Sequence, residues 1–215
     1  MAHRHHHGGH GHGHDHARDA HGNPVDLEAY IARLDDPERD AWQRPARVLA
    51  AAGIRKGQVV CEVGGGTGYF VLRLGRAVGR AGHVFAVDAE PRLLAVVRDR
   101  VVAARLRNVS PILAPPDDPL IPEASCDRIL IVNTYHHFPD GVATLRRLAR
   151  KLRRGGRLVN VDFLPGELPL GPPTGHKVTR EEFLADARRA GLSLVGEETF
   201  LPYQYLLVLA PRASR

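Results

Sequence analysis

The chain has 215 residues, 43% apolar and 25% charged, which suits one α/β domain with a small appendage. Its formal charge of +6 invites a polyanionic partner, yet Arg146, Arg147, Arg150, Lys151, Arg153 and Arg154 surround Leu145, Leu148 and Leu152 as the solvated side of an amphipathic helix. Exposed aromatics do not alternate with these cations, so nucleic acid is not expected. The only two cysteines, Cys61 and Cys126, exclude a disulfide framework and a cysteine-based zinc site.

In chain order, residues 1–22 come first, a His/Gly-rich segment expected to be disordered without metal. His5, His6, His7, His10, His12, His14 and His16 suit Ni, Zn or Cu, in a non-catalytic role. Residues 23–215 form the folded part, opening with cap helices over 23–55. Helices are expected at 25–34 and 37–52, the second bent or split by Trp42 and Pro45. Strand 58–63 is followed by a glycine turn and a helix, strand 84–87, helix 91–104 and strand 109–113. After these come strand 128–132, helix 141–153, strand 157–162 and helix 179–190, whose Thr179 and Glu182 have capping-box spacing. Strands 193–199 and 205–209 close the chain. Repeated βα units predict an α/β, Rossmann-like, doubly wound fold, its mostly parallel seven-stranded sheet covered by helices on both faces. No apolar run approaches a membrane span, and no charged-then-apolar leader opens the sequence, so a cytoplasmic location is expected.

The segment Glu62 to Gly68 (EVGGGTG) carries the chemistry. It lies between an apolar strand and a helix, where glycines let backbone approach a ligand. The pattern is neither the dinucleotide G-x-G-x-x-G, since Tyr69 stands at its third glycine position, nor a phosphate P-loop. E-x-G-x-G-x-G resembles the first motif of class I S-adenosylmethionine (SAM) methyltransferases, whose cofactor has no phosphate. Asp88, ending the second strand, stands where such units place a ribose-binding acid, and it could also cap the next helix. The Pro-rich segment 114–122 and the Arg154-Gly155-Gly156-Arg157 turn resemble later motifs of the same family.

The resemblance implies that Gly64, Gly66 and Gly68 cradle the methionine part of SAM and that Glu62 receives its ammonium. It also implies Asp88, with Ala89, at the ribose, and Asp117 rather than Asp118 at the adenine. Asn133 to Pro139 would wall the acceptor side, with His136 or His137 as a proton acceptor and Tyr135 orienting the acceptor. Packing under the cofactor and helix capping are the alternatives for the histidines. The Pro/Gly-rich stretch 164–175 is a candidate lid. Trp42 and Gln43 could close over the methionine moiety or anchor the helix.

The branch resembled is that of quinone-biosynthesis and arsenite methyltransferases, although two cysteines are too few for arsenite capture. The expected activity is methyl transfer from SAM to a small molecule. Two readings stay open beside it: a non-catalytic SAM- and metal-binding protein, and an RNA or protein methyltransferase. Oligomeric state is not legible.

Overall fold

The computed structural model describes residues 25–212. The histidine segment 1–22, with its proposed metal ligands, lies outside the described residues. Three short helices come first: α1 (Leu27–Leu34), α2 (Arg39–Gln43) and α3 (Pro45–Ala51). The expected split at Pro45 is present, and its hinge is Arg44, in the left-handed region at φ 46°. Strand β1 (Val59–Val63), helix α4 (Tyr69–Val78), β2 (His83–Asp88), α5 (Pro91–Ala103) and β3 (Val109–Leu113) form the first half. The second half holds β4 (Cys126–Val132), a 3-10 turn at Tyr135–His137, α6 (Gly141–Lys151), β5 (Leu152–Phe163), α7 (Arg180–Arg189), β6 (Leu192–Glu198) and β7 (Gln204–Pro211). Strand β5 begins at Leu152, five residues before the sequence suggested, because Leu152 pairs with Cys126 across a register shift in β4.

The strands form one seven-stranded sheet in the order β3-β2-β1-β4-β5-β7-β6. Its first five members are parallel, while β7 runs antiparallel to both β5 and β6. The order reverses beside β1, so a crevice opens at the carboxyl ends of β1 and β4, where ligands of open α/β sheets bind.

Two cores lie on the two faces of the sheet. Alternation along the strands sends Val60, Leu130 and Val132 to one face, against Val48 of α3, Phe70, Val71 and Leu74 of α4 and Val97 of α5. It sends Cys61, Ile129 and Ile131 to the other, against Leu145 and Leu148 of α6 and Phe183 and Leu184 of α7. Leu145 and Leu148 are fully buried, each contributing roughly 1.5–3 kcal/mol. Arg146, Arg147, Arg150 and Lys151 flank them on the outer side of α6, whereas Arg153 and Arg154, expected on the same helix, are exposed in β5 because the helix stops at Lys151. The capping box of α7 is formed by both of its expected hydrogen bonds. Among the described residues, no helix is long and apolar enough to cross a membrane.

Candidate functional site

A cleft of about 260 Å³ lies over the carboxyl ends of β1, β2 and β4. The glycine turn forms its floor. Gly64, at φ 76°, leaves no room for a side chain, since a Cβ there would fall 2.3 Å from both Oγ1 and Cγ2 of Thr134. The residue type is therefore fixed twice, by backbone conformation and by close approach. Gly66 lines the cleft and donates its N–H to Asp88 Oδ2 at 2.8 Å. Gly68 does not line the cleft. It starts α4 at φ 87° and faces Val97, so its work is in the turn and the helix packing.

Glu62 ends the floor on β1. It is 3% exposed, and its Oε2 has no hydrogen-bond partner among the described residues. Burial, opposed by the nearby Arg39 and reinforced by Asp88, pushes its carboxyl up to about 8. A buried acceptor left unsatisfied costs about 1–3 kcal/mol, so a cationic hydrogen-bond donor entering the cleft would relieve it. Asp88 is held more firmly. Its Oδ1 accepts from Glu90 N at 2.9 Å and its Oδ2 from Gly66 N, while burial still raises its carboxyl above the ordinary value. Each oxygen keeps a second lone pair for a ligand hydroxyl. Glu90, rather than Asp88, caps α5 and binds Arg92 at 2.8 Å.

The sequence reading missed the clamp that holds the floor. Asp35, at the end of α1, accepts from Thr67 Oγ1 at 2.8 Å and pairs with Arg100 of α5 at 2.6 Å, while Arg100 also donates to Thr67 O. Burial alone would raise the Asp35 carboxyl, but the bonds from Arg100 and Thr67 outweigh it and hold it below its ordinary value. From α2, Arg39 lies 3.9 Å over the Tyr69 ring, and its Nη1 donates to Leu34 O at 2.8 Å. Tyr30, Leu34 and Arg39 thereby line the cleft, so the N-terminal helices roof it. None of the lining residues comes from the candidate lid 164–175. That stretch instead packs Gly171 against the Phe163 ring.

On the acceptor side, Asn133, Thr134, His137 and Phe138 line the cleft, but Tyr135 and His136 do not. Tyr135 is buried edge-on against Phe138 and Phe183, and its hydroxyl donates to Asp186 of α7 at 2.8 Å, which makes it an anchor for the turn. Desolvation and Asp186 both raise its phenol, keeping it neutral. His136 is buried beneath His137, ring centroids 4.0 Å apart, with its Nδ1 3.4 Å from Asp162 Oδ2. Asn133 accepts from Gln204 Nε2, and Gln204 Oε1 accepts from Gln43 Nε2 at 3.0 Å. Gln43 in turn accepts from Arg39 Nε at 2.6 Å, so one chain of amides joins the roof to the acceptor wall. Trp42 does not line the cleft; its ring sits 6.0 Å from that of Phe163, anchoring α2.

The adenine-side assignment to Asp117 does not fit this geometry. Its carboxylate is bonded to Arg147 of α6 at 2.8 Å, and it does not line the cleft. Asp118 accepts from Leu120 N and does not line it either. Ala89, Leu93, Ala114, Pro115, Pro116 and Leu148 make this end an apolar slot suited to a flat heterocycle. Three carboxyl groups, Glu62, Asp88 and Glu90, line the cleft against one guanidinium, Arg39, which suits a cationic nucleoside and disfavours a pyrophosphate. These residues fit the ammonium, ribose and adenine of SAM. Among the described residues, no group of His, Cys, Asp and Glu could hold a metal ion.

A doubly wound sheet with an acidic, glycine-floored cleft at its switch point defines a nucleoside-binding α/β protein. Residues 60–156 match the family described as a methyltransferase domain. Protein-L-isoaspartate O-methyltransferase of Methanothrix thermoacetophila is 37% identical over 106 residues, 49% of this chain and 48% of that protein. The ubiquinone/menaquinone biosynthesis C-methyltransferase UbiE of Vibrio vulnificus is 32% identical over 123 residues, 57% of this chain and 46% of that one. The chain spans about half the length of these curated relatives. The crystal structure of a SAM-dependent methyltransferase from Aquifex aeolicus superposes with a TM-score of 0.81 at 25% identity, over 84% of this chain and 96% of that one. Residues 60–156 thus carry a methyltransferase-domain match, and the chain shares the fold of the SAM-dependent methyltransferase from Aquifex aeolicus.

Proposed function

We propose that this protein binds SAM in the cleft and transfers its methyl group to a small-molecule acceptor. The observation that carries this reading is Glu62, a buried carboxyl with an oxygen unpartnered among the described residues, set two residues before the glycine floor and facing a cleft that also holds Asp88. Glu62 receives the ammonium of the methionine part and Asp88 the ribose hydroxyls, while the slot from Ala89 to Pro116 takes the adenine. The bound cofactor supplies a methyl group on a positively charged sulfur. The chain's own contribution is to align the acceptor beside that methyl group under the α1–α2 roof and to exclude water.

Where the acceptor must lose a proton, His137 is the imidazole that faces the cleft, and neutral imidazole is a competent base near pH 7. His136, facing Asp162, packs its ring at a tilt against that of His137 and so positions it. The UbiE relative, a C-methyltransferase of ubiquinone/menaquinone biosynthesis, supports a small acceptor methylated at carbon. The isoaspartate methyltransferase relative supports a second reading, in which the acceptor is a carboxylate on a protein. The cytoplasmic location and the metal-binding histidine segment remain part of the proposal.

The test is transfer of label from methyl-tritiated SAM to a panel of quinols, phenols, amines and thiols, and separately to isoaspartyl peptides. Labelled small products that fall about tenfold or more with His137→Ala support the first reading. Label appearing only in the peptide fraction supports the second. Cofactor binding without any labelled product counts against both and favours a non-catalytic SAM-binding role.

A further inference from the structure

The end of the sheet opposite the cleft carries a second cavity of about 320 Å³, lined by the end of α3, the start of β4, the middle of β5, and strands β6 and β7. Arg128 and Arg157 lie in its wall and are register partners on adjacent parallel strands. Two like charges side by side on a sheet repel one another, a cost the fold would shed if an anion sat between them. Neither arginine forms an ion pair among the described residues. The neighbouring Asp127 gives its Oδ2 to Arg153 and to Val59 N, and Glu197 is taken by Arg180 at 2.6 Å. Glu197 and Glu198 both line the same cavity, so its wall carries two acids beside the two arginines, one of them, Glu197, already paired with Arg180.

Both guanidinium groups are held in place by backbone carbonyls. Arg128 donates Nε to Ala52 O at 2.8 Å and Nη1 to Asp127 O at 2.7 Å, and Arg157 donates Nη1 to Gly155 O and Gly156 O at 2.8 and 2.9 Å. These bonds fix the forks while leaving Nη2 of Arg128, and Nε and Nη2 of Arg157, for another acceptor. Gly53 keeps the approach open, since a Cβ there would stand 3.2 Å from Arg128 Nη2. Burial, together with the fields of Arg157 and Arg55, holds the Arg128 guanidinium below its ordinary value despite Asp127.

We propose that Arg128 and Arg157 form an oxyanion site that takes a phosphate group, separate from the methyl-transfer cleft and independent of its assignment. Two guanidinium groups, each anchored to backbone carbonyls with N–H donors to spare, suit the charge and acceptor oxygens of phosphate, and Arg55 adds a third positive field. The phosphate could be free or carried by a nucleotide.

The test uses the full chain at constant ionic strength, titrated by calorimetry and amide NMR with inorganic phosphate, UMP and uridine. Saturable phosphate binding at about 1 mM or tighter is expected, with the largest amide shifts at Gly53 and Gly196. Arg157→Gln, which leaves the Arg128 contact to α3 intact, and Arg128→Gln should each weaken it about tenfold or more. UMP equal to phosphate with uridine silent identifies the phosphate group as sufficient, whereas UMP binding tighter than phosphate identifies a nucleotide as the carrier. Non-saturating shifts scattered over the basic surface, or equal binding by wild type and both variants, would overturn the proposal. NMR of the unaltered chain decides the matter should either variant fail to fold.

Discussion

The two halves of the cleft are built on opposite terms. In the cofactor half, polar groups are held in place and left with capacity to spare: Glu62 Oε2 has no partner among the described residues, and Asp88 is pinned by backbone N–H groups that use one lone pair of each oxygen. In the acceptor half, most polar groups are already engaged with one another. Asn133 is bonded to Gln204, Gln204 to Gln43, Tyr135 to Asp186, and His136 faces Asp162. The first half is preorganised to bind one charged ligand, and it bears an energetic cost when empty. The second half spends its hydrogen bonds on shape, Thr134 included, whose hydroxyl donates to Val132 O at 2.9 Å, and His137 lines the cleft beside it.

This contrast can be broken most sharply at Gly64. Gly64→Ala forces a Cβ into Thr134 at a positive φ, and a calorimetric titration should show SAM affinity reduced about 100-fold, or roughly 2.7 kcal/mol. Full-strength binding by this variant would mean that the glycine floor is not the ligand's seat. Glu62→Gln comes next, with a loss of about tenfold or more.

The same substitution carries a pH signature. The folded-state value of Glu62, about 8, lies above its unfolded value of 4.5, so ionising it opposes folding, and that penalty grows as pH rises from 4.5 towards 8. The empty Glu62→Gln protein should therefore melt higher than wild type at pH 8–9 and equal to it near pH 4.5. A gain of the same size at both ends would contradict the assignment. SAM binding near pH 6.5 should release a proton in wild type, seen as a buffer-dependent enthalpy, and should not do so in the variant.

Smaller effects sharpen the boundary of the two halves. Asp35→Asn loosens the clamp on Thr67 and Arg100, and equilibrium binding should weaken by about three- to tenfold. The Asp35 carboxyl sits below its ordinary value, so its contribution is present above pH 3.8 and fades as pH falls through the folded-state value. Tyr135→Phe should cost about 1 kcal/mol in urea denaturation while leaving SAM affinity within twofold, because the hydroxyl serves α7 rather than the ligand. Asp117→Asn should change SAM affinity least of all, and a large loss there would restore the adenine role that its bond to Arg147 argues against.

The sheet was legible in the sequence because its signals are local. Most strands are short apolar runs, the polar opening of β5 being the exception, α7 carries its capping box, and Pro45 splits the second cap helix just after Arg44 turns left-handed. Glu62, Gly64 and Asp88 were legible for the same reason, lying within or just after strands whose ends define the crevice. What could not be read depends on partners far apart in the chain. Arg39 looks like an ordinary surface arginine until α2 folds over Tyr69, and Asp35 becomes a clamp only when α5 brings Arg100 to it across 65 positions. Tyr135 and His136 share a short motif with His137, and the tight 3-10 turn sends only His137 into the cleft. Arg147 alone decides where Asp117 points, and no local pattern announces that pairing.

The central claim is that the orphaned carboxylate and its neighbours hold SAM. The most direct measurement is calorimetric titration of the protein with SAM and with S-adenosylhomocysteine, in wild type and in Asp88→Ala. Micromolar binding of both, weakened about tenfold or more by the substitution in a protein that remains folded, is the predicted result. Absence of binding by folded wild-type protein, or affinity indifferent to Asp88, would contradict the account.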